Sequence, residues 1–151
     1  MLKNLDPVLG ADVLHVLRSM GHGDTLVVAD ANFPSESIAR HTPVSRALSM
    51  DNVSAARAVK ALLSLLPLDT PLQPSAGRME VSSSASDIPP VQAEVQEEID
   101  RSEGGPTPMY GIERFAFYDL AKKAYCIVKT GEMRFYGCFL FTKGVWSAPM
   151  G

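Results

Sequence analysis

The chain has 151 residues, the length of one domain with one sizeable core. Hydrophobic residues make up 46% of it and charged residues 21%, a globular composition that argues against extensive disorder. A net charge of -3, with the Lys and Arg side chains scattered among the acids, argues against nucleic acid as a partner, because phosphate binding needs concentrated positive charge.

The longest nearly uninterrupted apolar run, Ala61 to Leu68, contains Ser64 and Pro67 and falls far short of the ~20 residues that cross a bilayer. No membrane partner is expected. The opening MLKNLDPVLG lacks the apolar stretch of a secretory signal, so the expected compartment is cytoplasmic. Cys126 and Cys138 lack C-x-x-C spacing and read as small buried hydrophobes, not as a disulfide staple or zinc ligands.

After Asp12, the residues Val13, Leu14, Val16, Leu17 and Met20 fall on one helical face, with Gly21 placed to end the helix at C′. Thr25 to Ala29 is short, β-branched and without alternation, which suits a parallel strand buried on both faces. Asp51 or Ser54 caps a second helix through Leu66, stopped by Pro67, and Arg78 to Ser82 reads as a strand. Ser82 to Asp87 is a serine-rich loop. Pro89-Pro90 opens an acidic helix from Val91 to about Arg101, with Val91, Val95 and Ile99 as its apolar stripe.

Ser102 to Pro108 is a connecting loop, and Arg114 to Lys123 is a last amphipathic helix whose Phe115 and Phe117 are both expected in the core. Tyr125 to Lys129 and Phe135 to Thr142 then form strands around the turn region Thr130-Gly131-Glu132, a hairpin-like pair that suggests one antiparallel strand. Helices alternating with unalternated strands predict an α/β fold with a mostly parallel mixed sheet and a single domain over 1–151.

The stretch MGHGDTLVVADANFP, Met20 to Pro34, sets a histidine between two glycines and closes an apolar run with Asp30. By itself GHGD is a turn: the glycines allow φ > 0 and Asp24 can bond local backbone. It contains no phosphate-loop spacing, and a metal set of His22, Asp24 and Asp30 is irregular. His22 and Asp30 flank one strand and would lie at its opposite ends. Arg114 and Tyr118, at i and i+4, project a guanidinium and a phenol from one helical face.

Five segments in order, MGHGDTLVVADANFP, LLPLDT from Leu65, RMEV from Arg78, IERFAFYDLAKKAYCIVKTGE from Ile112 and YGCFLFTKGV from Tyr136, resemble the D-ribose pyranase and L-fucose mutarotase family, closer to its fucose branch. The resemblance implies a three-layer α/β/α sandwich and a cofactor-free isomerase that interconverts the anomers of a free monosaccharide. It also implies a homo-oligomer, commonly a decameric ring, with sites at subunit interfaces, so that residues at opposite strand ends need not meet within one chain. His22 matches the proton-donating histidine, and Asp30 the sugar-binding aspartate. Asp69 and Met79 match pocket residues, while Arg114, Tyr118 and Tyr136 match sugar contacts. Cys138 stands where the family usually carries asparagine, replacing an amide with a weak thiol donor. Two alternatives stay open: D-ribose pyranase activity, and a sugar-binding accessory protein without catalysis. Either Tyr118 or Tyr136 would relay the anomeric proton.

Overall fold

The structure is a computed structural model that describes residues 1–70 and 74–149. Its strands, β1 (Thr25–Ala29), β2 (Leu48–Met50), β3 (Ala76–Met79), β4 (Tyr110–Ile112), β5 (Cys126–Thr130) and β6 (Phe139–Thr142), form one sheet in the order β2-β5-β1-β6-β3-β4. Only β6 runs antiparallel to its neighbours. The expected fold class is thus observed. Helices α1 (Ala11–Ser19), α3 (Ala55–Leu63) and α4 (Pro90–Glu103) pack on one face, and α2 (Ser35–Ala39) and α5 (Arg114–Lys122) on the other.

Strand periodicity explains the two cores. In β1, Leu26 and Val28 join the core under α1, α3 and α4, while Val27 and Ala29 join the core under α2 and α5. All four are fully buried, as a central strand without polar alternation requires.

Several boundaries differ from the sequence reading. Gly21 is not the left-handed C′ residue: α1 ends at Met20 in extended backbone, which carries that side chain into the core, and the left-handed turn comes at Gly23, φ +85°. Ser54 is the cap of α3, its side chain accepting from Arg57 N, but the helix stops at Leu63, where the Ser64 hydroxyl turns back to the Ala61 carbonyl. β3 starts at Ala76 and ends at Met79, because its pairing with β6 stops at Arg78 and Val81 bridges locally to Ser84. Phe117 is core, whereas Phe115 is 68% exposed: two positions apart on a helix point in nearly opposite directions, so one sheet cannot bury both. The elements α2, β2 and β4 have three to five residues each and leave no periodic trace.

The expected hairpin is also absent. β5 and β6 lie on opposite sides of β1, so residues 131–138 must cross over the carboxyl end of β1 before the chain descends as β6. Ala31 N donates to the Glu132 carbonyl at 2.7 Å, and Gly131 N to the Val53 carbonyl at 2.9 Å, so the crossing is pinned as it begins. A Cβ at Gly131 would overlap the backbone carbonyl of Asp51, which is why the close approach needs glycine.

Glu132 anchors the crossing from inside. Its carboxylate is buried, accepts from Ala55 N at the start of α3, and takes the Nε, Nη2 and backbone N–H of Arg134, which in turn forks onto Glu94 of α4. Those donors, the Arg134 guanidinium first, hold the Glu132 carboxyl at about 2, below its ordinary 4.5.

Two outcomes follow. Gly131→Ala is expected to lower unfolding free energy in denaturant titration by about 1–3 kcal/mol. Because folding depresses the Glu132 pKa, its contribution is full above about pH 4.5 and is lost as pH falls through about 2. Compared with Glu132→Gln, the parent is therefore expected to hold an advantage of about 1–2 kcal/mol near neutrality, reduced because the Arg134 partner is half exposed. Denaturant titrations across that pH range should show the advantage vanishing on the acid side.

Candidate active site

The carboxyl ends of β1 and β3, the crossing segment and the first turn of α5 enclose a cavity of about 390 Å³, within the range of small-molecule sites. Six residues singled out from the sequence line it: Asp30, Met79, Arg114, Tyr118, Tyr136 and Cys138. Asn32, Phe33 and Phe135 complete the wall; they lie within or beside the motifs read from the sequence but carry no site assignment there.

Asp30 forms the floor. Its Oδ1 accepts from Asn32 N and Phe33 N, both at 3.0 Å, closing the turn after β1. Its Oδ2 accepts from Gly137 N at 3.3 Å and from the Cys138 thiol at 3.4 Å, tying that turn to the crossing segment. Burial, with the Asp30 charge behind it, pushes the Cys138 thiol well above its ordinary range, so it stays protonated and donates. Four donors fill the acceptor sites of one carboxylate, and the thiol is the weakest of them.

The wall comes from α5 and the crossing segment. The Glu113 carboxylate accepts from Phe115 N and Ala116 N, both at 2.9 Å, which fixes the start of α5 with Arg114 in its first turn. The Arg114 guanidinium carbon lies 5.9 Å from the Tyr118 ring centroid, as the i, i+4 spacing requires, and Tyr118 stacks on Phe33 at 5.4 Å. Tyr136 has φ +63°, a left-handed conformation costing about 1–3 kcal/mol for a bulky residue. Its phenol oxygen accepts from Ser82 N at 3.3 Å, and its carbonyl from the Gln92 side chain at 3.0 Å. The Ser82 hydrogen bonds, and then the Arg114 charge, hold this phenol below the ordinary tyrosine range.

His22 and Asp69 are not in this cavity. They meet each other at the far end of β1, His22 Nε2 lying 3.3 Å from Asp69 Oδ2. The two sit on adjoining backbone: Gly23 N donates to the Lys143 carbonyl, and Asp69 N to the Thr142 carbonyl, at the carboxyl end of β6. The five residues of β1 put about 16 Å between this pair and the Asp30 floor. Asp24 is occupied by Gly21 N at 2.7 Å, so the set His22, Asp24 and Asp30 is not assembled, and among the described residues no three His, Cys, Asp or Glu side chains converge as metal ligands.

Gln92, fully buried on α4, also went unread. The signal was present, since it shares the stripe of Val95 and Ile99 at i, i+3 and i+7, and a polar residue on a buried stripe needs partners. A larger groove of about 700 Å³ lies beyond Phe135 and Tyr136, but its Arg134 is already held by Glu94 and Glu132. The cavity over Asp30 is where six of the residues read from the sequence converge.

The chain is similar along most of its length to known proteins. Fucose mutarotase of Danio rerio is 40% identical over 154 residues, covering 96% of this chain and 94% of that protein. The crystal structure of protein Atu2016, provisionally assigned as a sugar binding protein, superposes with a TM-score of 0.96 at 69% identity, covering 97% of each chain. The fucose mutarotase of Streptococcus pneumoniae, solved in complex with L-fucose, superposes with a TM-score of 0.85 at 34% identity, covering 97% of this chain and 100% of that one. The profile of the RbsD / FucU transport protein family matches residues 3–146, and with a sheet, a cavity and relatives of this kind the chain belongs to that family.

Proposed function

We propose that this chain is a cofactor-free mutarotase that interconverts the α and β anomers of L-fucose or a similar aldose. The observation that carries the reading is the convergence of Asp30, Met79, Arg114, Tyr118, Tyr136 and Cys138 on one cavity of sugar-accepting size and polarity. Its support from relatives is the 40% identical fucose mutarotase and the 34% identical one that binds L-fucose.

In this proposal the sugar lies against the Phe33 and Tyr118 rings, with Arg114 donating to its hydroxyls and Met79 supplying an apolar wall. A hydroxyl reaches Asp30 Oδ2 by displacing the Cys138 thiol, the weakest of the four donors. Tyr136 acts as the phenolate, the form that the Ser82 hydrogen bonds and then the Arg114 charge favour, and takes the anomeric hydroxyl proton to become the neutral phenol. His22 protonates the ring oxygen, imidazole being the side chain that ordinarily titrates near neutrality. The C1–O5 bond breaks as C1=O forms, the aldehyde rotates about C1–C2, and closure on the other face returns both protons to their donors, so nothing is consumed.

His22 serves the cavity from a neighbouring subunit, because about 16 Å of β1 separates it from Asp30 in its own chain. Asp69 holds the imidazole in place. The protein is thus a single mutarotase domain in a homo-oligomer with sites between subunits, and a decameric ring satisfies this. Among the described residues no helix is long and apolar enough to cross a membrane, and the two cysteines are free and buried, which suits the reducing cytoplasm.

Saturation-transfer NMR on anomeric protons tests the reading. Faster α/β exchange of L-fucose is expected, falling about 10²- to 10⁴-fold in His22→Ala with folding unchanged. Exchange confined to the ring forms of D-ribose would assign pyranase activity instead, and sugar binding without exchange would make the protein an accessory.

A further inference from the structure

Behind the cavity, Arg78 and Gln92 form a buried polar chain. Gln92 Nε2 donates to the carbonyls of Met79 at 2.7 Å and Tyr136 at 3.0 Å, and its Oε1 accepts from Arg78 Nη1 at 3.2 Å. Every hydrogen-bonding direction on that amide but one is used, and two of its partners are backbone atoms of cavity-lining residues from different segments. Arg78 continues the chain outward, donating to the carbonyls of Ala85 at 2.9 Å and Asp87 at 3.5 Å, in the serine-rich loop. That loop begins at Ser82, whose N–H is held by the Tyr136 phenol. Among the described residues Arg78 has no carboxylate partner, although it is buried.

A buried guanidinium bonded to neutral carbonyls is an expensive arrangement for stability alone. Here it closes a circuit: one end, through Gln92, holds the backbone of Tyr136 in its strained left-handed conformation, and the other, through the loop, holds the N–H that meets the Tyr136 hydroxyl. We propose that Arg78 and Gln92 are positioning residues for Tyr136, fixing the phenol against Ser82 and Arg114 from behind the cavity without touching the sugar. This rests on the mutarotase reading for its consequence in catalysis, but the positioning itself is a property of the folded chain.

The charged and titratable groups around Tyr136 are Arg114, Tyr118, Asp30 and Cys138 in the cavity, and Asp87 and Arg134 in the neighbouring groove. Neither Arg78 nor Gln92 needs to change its own charge for the effect. When the circuit opens, Tyr136 leaves the donors that hold its phenol below the ordinary range, and its titration moves up.

The four tyrosines allow a direct test with ring-labelled protein, the Tyr136 signal being the one lost in Tyr136→Phe. In Gln92→Met, which keeps the side-chain volume and removes the amide, the Tyr136 signal is expected to titrate at higher pH than in the parent. L-Fucose exchange is expected to slow at least about tenfold, a misplacement effect. Arg78→Lys keeps the charge but loses the fork onto two carbonyls, so it guards against a Gln92 variant that does not fold and is expected to give a smaller shift of the same sign. A Tyr136 titration unchanged from the parent in folded variants overturns the proposal. A shifted titration in a protein whose parent exchanges no anomers overturns the mutarotase reading and leaves the positioning intact.

Discussion

The placement of β6 between β1 and β3 is the constraint on which the site depends. Once β5 and β6 occupy opposite sides of β1, the chain between them has to pass over the carboxyl end of β1, and the backbone polar groups exposed there must be satisfied. Asp30 does this with a single side chain. Two of its hydrogen bonds close its own turn and two hold Gly137 and Cys138, so the same carboxylate that ends the strand seats the lid over it. Glu132 and Gly131 secure the entrance to the crossing, and Tyr136, left-handed within it, lines the cavity.

A consequence is that Asp30 is largely a structural acceptor, with the Cys138 thiol as its replaceable partner. An amide at position 138 would offer stronger donors and an acceptor of its own; a thiol leaves a soft, apolar patch on the floor and, in the proposed chemistry, a carboxylate oxygen that the sugar claims. A cysteine at position 138, where the resemblance implies an asparagine, therefore changes the balance of the floor while keeping a hydrogen bond to Asp30.

Much of this is legible in the sequence. β1 is bounded as its unalternated apolar run implies, because a central strand buried on both faces has only one way to satisfy that composition. Arg114 and Tyr118 share a face because helical geometry is local. What stayed hidden depended on distant partners. The hairpin expectation failed because strand order is a property of the whole sheet, and Phe135 to Cys138 look like strand residues until β6 is known to start only after the crossing. The partners of Arg78 and Gln92 stayed hidden for the same reason: they exist only in the circuit that joins β3, α4, the serine loop and Tyr136.

The opposition of His22 and Asp30 across β1 survives unchanged from sequence to structure, and it is the least local feature of the proposed chemistry. It is tested most directly by mixing subunits. His22→Ala and Arg114→Ala, each inactive in anomer exchange alone, should regain activity when co-assembled, because pockets joining the intact His22 of one chain to the intact Arg114 of another reappear, in roughly a quarter of sites by random assortment. Mixed oligomers, verified by mass, that exchange L-fucose no faster than either variant alone would contradict a site shared between subunits.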